Sequence, residues 1–322
     1  MGWKGTLRSV RAEIRRAEKR QIQYEKMRQA EQARDLVYEQ DNYLEKIKSS
    51  HKIFAEKIDW NIFLKASEPI SPIKTNSREA EAISKYENYR PGWIVRKLRL
   101  VQWRKNSLKR NVEKAKQKDE EEYNAQRRQF EYDHAQWKHD KDLAERITSN
   151  DLSAYEQVLT SKSVFKDGGI VCSAISMTFN NNVLSVEVDL LSEDDALPNK
   201  IYSVTKTGKI SEKDFPKTQY NQLYQDYVCS VSLATAKVIF GLFPVEKILI
   251  NSMSNVLNTA TGNLERQALL SVLIPRGSFQ AINLSHVDPS DCMKNFNHNM
   301  NYKNTEGLKP TTQLKVSKGQ AS

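Results

Sequence analysis

The chain has 322 residues, a formal charge of +10, 39% hydrophobic residues and three cysteines. That length accommodates two domains of ordinary size, and so polar a composition excludes one large compact core. Cys172, Cys229 and Cys292 are odd in number and form no CxxC pair, which argues against a secreted disulfide framework or a zinc knuckle and points to a reducing cytoplasm.

The N-terminal MGWKGTLRSVRAEIRR lacks the apolar core of a signal peptide, and Glu13 and Glu18 argue against an organellar leader. Neither Gly nor Pro occurs from Thr6 to Glu68 or from Trp93 to Asp167. These are the strongest helix breakers, so two long helices are expected, folded into an antiparallel hairpin over residues 1–150 with an elbow near 67–92. A helix of roughly 55 residues reaches on the order of 80 Å. In the second helix Tyr123, Phe130 and Trp137 recur every seven residues, the spacing of one coiled-coil seam position, although Arg127 and His134 interrupt it. The hairpin core is expected at the elbow, where Ile58, Trp60, Ile62, Phe63 and Leu64 would meet Trp93, Ile94 and Leu98.

Composition changes near residue 150. A short helix capped by Ser149 or Asn150 leads to Asp167-Gly168-Gly169, after which strand patterns begin. Residues 170–179 and 182–191 flank Asn180-Asn181 and read as a hairpin. In the second of these, Leu184, Val186, Val188 and Leu190 alternate with Val183, Ser185, Glu187 and Asp189, as in a half-buried strand. Residues 201–211 give a third strand or small hairpin turning at Thr207-Gly208, and a helix runs from about Lys217 to Phe240. Strands EKILINSM and ERQALLSVLIP, short helices at 277–283 and from Asp288, and a polar tail at 310–322 complete the chain. The fold class is α+β: a long N-terminal helical hairpin, partly coiled coil, then a mixed or antiparallel sheet with packed helices at 151–309. The most apolar window, 231–250, contains Lys237, Pro244, Glu246 and Lys247, so no transmembrane segment is expected.

MGWKGTLRSVRAEIRR, LYQDYVCSVSLATAKVIFGLFP, NTATGNLERQALLSVLIPR and DPSDCMKNFNHNMNYK together resemble a group of uncharacterised bacterial proteins with an N-terminal coiled coil and a C-terminal α+β domain. The resemblance implies this two-part architecture and a bacterial, cytoplasmic origin. It brings no catalytic residue with it.

Charge is the strongest functional signal. Residues 1–150 hold 34 Lys and Arg against 24 Asp and Glu, whereas the remainder balances at 16 and 16. Between Glu87 and Glu113 there is no acid, and Arg96, Lys97, Arg99, Arg104, Lys105, Lys109 and Arg110 cluster around Trp93 and Trp103. Such a run suits nucleic-acid phosphates, with no base-specific readout implied. The expected function is therefore a non-catalytic binding or assembly protein whose basic arm binds nucleic acid or mediates oligomerisation. In the second case Tyr123, Phe130 and Trp137 form the seam with another copy or a protein partner. A peripheral membrane role is a further alternative, with Trp93, Ile94, Leu98 and Trp103 facing lipid.

No catalytic signature stands out, and whether the chain is an enzyme is left open. The enzymatic alternative is a metal-dependent nuclease, in which Glu187 and Asp189 on one strand and Lys206 on its neighbour would hold Mg2+ and activate water. Outside that alternative no cofactor is expected. His286, Asp288, Asp291, Cys292 and His298 concentrate ligand-type side chains, but Asp288-Pro289-Ser290-Asp291 is also an ordinary helix start. Lys206-Thr207-Gly208-Lys209 lacks the preceding glycines of a phosphate-binding loop and reads as a strand-connecting turn.

Overall fold

The computed structural model describes residues 3–162, 172–180, 183–258 and 260–315, with side chains from Arg15 onward. The expected Asp167-Gly168-Gly169 breakpoint lies outside the described residues. The chain divides into two compact units, one formed by residues 1–58 with 150–322 and the other by 59–149.

The first unit is the α+β body. It begins with α1 (Trp3–Lys48), whose residues 15–29 are exposed on every side, and a 3-10 turn at Ser50–Lys52. After α6 (Leu152–Ser161) come β1 (Ala174–Asn180), β2 (Val183–Asp189), the single turn α7 (Glu193–Ala196), β3 (Lys200–Val204), β4 (Ile210–Asp214) and α8 (Lys217–Leu242). The unit closes with β5 (Lys247–Asn258), β6 (Asn263–Pro275), α9 (Arg276–Gln280), α10 (Pro289–Cys292), β7 (Asn297–Lys303) and β8 (Gly307–Lys309). Asp151, one residue beyond the expected caps, starts α6 by accepting from the Ser153 amide. Asn150 instead adopts a left-handed conformation, which its short polar side chain tolerates.

Six strands form one mixed sheet in the order β1-β2-β5-β6-β7-β8. Among the described residues only β2 and β5 run parallel, with Leu184 opposite Ile248 and Val188 opposite Ser252. A parallel pair requires a crossover, and α8 supplies it. Its buried residues run from Asn221 to Leu242, because the sheet covers one side and the end of α1 with the following segment covers another. Leu184, Val186, Val188, Ile248 and Ile250 are fully buried, and Ser252 donates to or accepts from Ser232 of α8 at 2.7 Å. Gly241 lets residues 55–58 approach α8: a Cβ there would overlap the Glu56 carbonyl oxygen, and the Ile58 amide donates to the Gly241 carbonyl at 2.9 Å.

Strands β3 and β4 form a separate two-stranded sheet against α1. The Gln40 amide completes the edge of β3, donating to the Lys200 carbonyl and accepting from the Tyr202 amide, both at 2.8 Å. Strands β7 and β8 were not anticipated. Asparagine-rich NHNMNYK has poor strand propensity, and its pairing to β6 rather than its composition makes it a strand.

The second unit is a helical hairpin. It comprises α2 (Trp60–Lys65), α3 (Ser77–Glu87), α4 (Trp93–Lys97) and α5 (Val101–Thr148). Residues 60–87 run antiparallel to α5: the Trp137 indole donates to Ala66, Glu68 meets His134, Arg78 pairs with Glu122, and the Asp119 carboxylate accepts from the Glu79 amide. This last contact caps the start of α3 with a side chain from another helix, satisfying one of its free amides. Within this unit the chain therefore reverses at residues 88–100.

A continuous helix from Trp93 was expected, but the structure breaks it. The Arg99 amide donates to the Arg96 carbonyl and the Leu100 amide to the Val95 carbonyl, the paired bonds of a Schellman ending. Arg99 occupies the left-handed position with φ 54°, where glycine is usual. Because an arginine fills it, nothing in the local composition announced the break.

Candidate functional site

The reversal at residues 88–100 and the first turns of α5 form the tip of the hairpin. Arg96, Lys97, Arg99, Arg104, Lys105, Lys109 and Arg110 are all exposed there, and no ion pair involving any of them occurs among the described residues. The neighbouring sequence contributes to this: residues 88–112 contain no acid, so Arg96, Lys97, Arg99, Arg104 and Lys105 have no carboxylate at the three- or four-residue spacing that neutralises charges along a helix, and Glu113, at that spacing from Lys109 and Arg110, pairs with neither. Farther along α5, where acids return, Arg127 pairs with Glu131 and Arg146 with Asp142.

The expected elbow core does not form. Trp60 is buried and tilts against Phe63 at 5.7 Å, but Trp93, Ile94, Leu98 and Trp103 are 73%, 54%, 60% and 60% exposed. The reason is register: α2 and α3 pack along α5, whereas α4 is a five-residue helix at the far end of that pairing. Helical spacing marked these residues as apolar but could not say whether a partner surface reaches them.

Tyr123, Phe130 and Trp137 are half-buried on the face of α5 that carries the contacts to residues 66–79. His134, read as an interruption, bridges this row: its ring lies 5.5 Å from Phe130 and 5.7 Å from Trp137, and its Nε2 is 2.9 Å from Glu68.

In the α+β body, Glu187 and Asp189 lie together on β2, but Arg266 of β6 joins them, with a guanidinium nitrogen 2.8 Å from Glu187 and Nε 2.7 Å from Asp189. Those two bonds, and the charges of the carboxylates, raise the pKa of Arg266 against a smaller opposing effect of burial. Lys206 is not on a neighbouring strand. The neighbours of β2 are β1 and β5, and Lys206 sits in the β3–β4 turn. That turn has Gly208 at φ 79° and Gly208 and Thr205 amides donating to the Thr205 and Lys209 carbonyls, the geometry of a strand connection.

Asp288 caps α10, accepting from the Ser290 and Asp291 amides at 3.0 Å and from the Ser290 hydroxyl at 2.6 Å. Burial works to raise its pKa, but these bonds outweigh it and hold the carboxyl below its ordinary range. Asp291 pairs with Lys294, Cys292 is buried, His286 is exposed, and His298 of β7 has Nδ1 3.0 Å from the Phe296 carbonyl just before that strand. No group of three or more His, Cys, Asp or Glu able to hold a metal ion occurs among the described residues. All three cysteines are free.

One juxtaposition was not visible in the sequence. His51 and Ser230, 179 residues apart, meet with Nδ1 2.8 Å from Oγ, and the His51 amide donates to the same oxygen. Ser230 is fully buried in α8 and His51 is 1% exposed, so no substrate reaches this hydroxyl. The pair fastens residues 50–51 to α8. Burial, then the charges of Lys52 and Lys237, lowers the His51 pKa. On the same helix Asp226 is 8% exposed with Oδ1 accepting no hydrogen bond, and burial, reinforced by Asp288, pushes its pKa up to about 6.

Comparison with known protein families, curated proteins and solved structures found no match to this chain. No helix among the described residues is long and apolar enough to cross a membrane.

Proposed function

We propose that this is a non-catalytic binding protein whose hairpin tip engages the phosphates of a polyanion through Arg96, Lys97, Arg99, Arg104, Lys105, Lys109 and Arg110. The observation that carries this reading is the run of seven exposed cations without ion-pair partners among the described residues. Paired cations would have to give up a neighbour before binding, whereas these exchange only water and counterions. The chemistry is that of phosphate recognition in general, shared by nucleic acids and anionic lipid headgroups.

The test uses the full chain with two probes, an oligothymidine and vesicles containing phosphatidylserine, at rising salt. At least one probe should bind at low salt and release at high salt. Changing Arg104, Lys105, Lys109 and Arg110 together to Ala should weaken vesicle binding by about 1 kcal/mol per residue, or reduce the oligonucleotide salt slope by ~0.7 per lost contact. Absence of binding to both probes, or an unchanged variant, rejects the proposal. A nuclease reading gains no support from Glu187 and Asp189, which a guanidinium already joins.

A further inference from the structure

Resting on the polyanion reading above, we propose that the surface the tip docks on is an anionic lipid bilayer, with Trp93, Ile94, Leu98, Leu100 and Trp103 seated at the headgroup boundary. These five large apolar side chains fall within eleven consecutive positions and are 43% to 73% exposed. Soluble surfaces seldom gather apolar groups so closely without a partner. Single-stranded nucleic acid would use the two indoles as stacking platforms but has no comparable use for three exposed aliphatic side chains. A lipid interface buries all five, and indoles favour that depth.

The charge arrangement fits the same partner. Arg96, Lys97, Arg99, Arg104 and Lys105 are interleaved with the apolar groups, and their long stems can follow those groups downward while the charged ends stay among phosphates. The backbone is also prepared for a drier environment. At the bend, Leu98, Arg99 and Leu100 amides donate to the Ile94, Arg96 and Val95 carbonyls, at 2.9, 3.2 and 3.0 Å, so this turn does not rely on water for those groups. Finally, the patch lies where the chain reverses in the 59–149 unit, so it can enter an interface while the charged length of α5 stays in water.

The experiment is sedimentation of the full chain with vesicles of phosphatidylcholine alone or mixed with phosphatidylserine, and in parallel anisotropy of labelled oligothymidine. Two variants keep every cation: Trp93→Ala with Trp103→Ala, and Ile94→Ser with Leu98→Ser. Their sites are exposed, and circular dichroism checks that folding is retained. The expected result is binding to the phosphatidylserine vesicles, with affinity about a hundred-fold lower in the tryptophan variant and at least about ten-fold lower in the aliphatic variant. Oligothymidine binding without vesicle binding overturns the lipid assignment and leaves the polyanion reading standing. Binding to neither probe overturns both. Vesicle binding undiminished in both variants overturns the seating of the apolar groups.

Discussion

Among the described residues of the α+β body, Gly241 should be the least replaceable glycine. It lies in α8, where alanine would ordinarily be favoured by roughly 0.5–1 kcal/mol. Here the added methyl would overlap the Glu56 carbonyl oxygen, with the Glu56 carbonyl carbon at 3.4 Å and the Ala55 Cβ at 3.9 Å. The strand of chain that must retreat is held at several points: Ile58 donates to Gly241, the Lys237 amine donates to Ile53 at 2.6 Å, and Lys162 pairs with Glu56 at 2.9 Å. Overpacking costs about 1–3 kcal/mol, and loss of the Ile58 bond adds about 1 kcal/mol. After subtracting the helical gain, Gly241→Ala should destabilise by about 2 kcal/mol. Urea unfolding followed by circular dichroism measures this, with Gly92→Ala as control, since no atom lies within 4 Å of a Cβ at Gly92. A Gly241→Ala protein as stable as the parent would refute the close approach of residues 55–58 to α8.

Other residues give equally direct tests. Arg99→Gly relieves a left-handed arginine and should raise stability by about 1 kcal/mol in thermal unfolding; destabilisation would contradict the Schellman ending. Asp119→Ala should lower the stability of the hairpin unit by about 1 kcal/mol, seen in the urea midpoint, because the α3 amide it caps loses its acceptor. Asp226 holds its proton more tightly folded than unfolded, so its contribution is full below pH 3.8 and is lost as pH rises through about 6. Asp226→Asn should therefore be stabilising at pH 7 by about 2 kcal/mol and nearly neutral near pH 4. An equal effect at both pH values would refute the burial of this carboxylate against α10. His51 acts with the opposite sign: its lowered pKa makes stability fall as pH drops below about 6.5, so His51→Gln should flatten that limb of the pH profile.

What the sequence disclosed depended on how local each determinant was. The long helices α1 and α5 were legible because a breaker-free run is a property of neighbouring residues, and the alternating apolar positions of β2 were legible for the same reason. The break at Arg99 was not, since a left-handed arginine is imposed by its surroundings. Strands β7 and β8 exist through pairing to partners that local propensity cannot register. The cations of the tip were legible as a cluster, but the adjoining Trp93, Ile94 and Leu98 were expected in the elbow core. Burial depends on where the partner helix ends, and α3 ends before it reaches them. His51 with Ser230, and Arg266 with Glu187 and Asp189, join residues distant in sequence and left no local trace.

The most direct test of the central claim is amide hydrogen exchange of the full chain, resolved by mass spectrometry, with and without phosphatidylserine vesicles. Protection concentrated in residues 88–110 is the expected result. Protection confined to α1 or to the sheet of the α+β body, with residues 88–110 exchanging as in the free protein, would contradict the assignment of the hairpin tip as the contact surface.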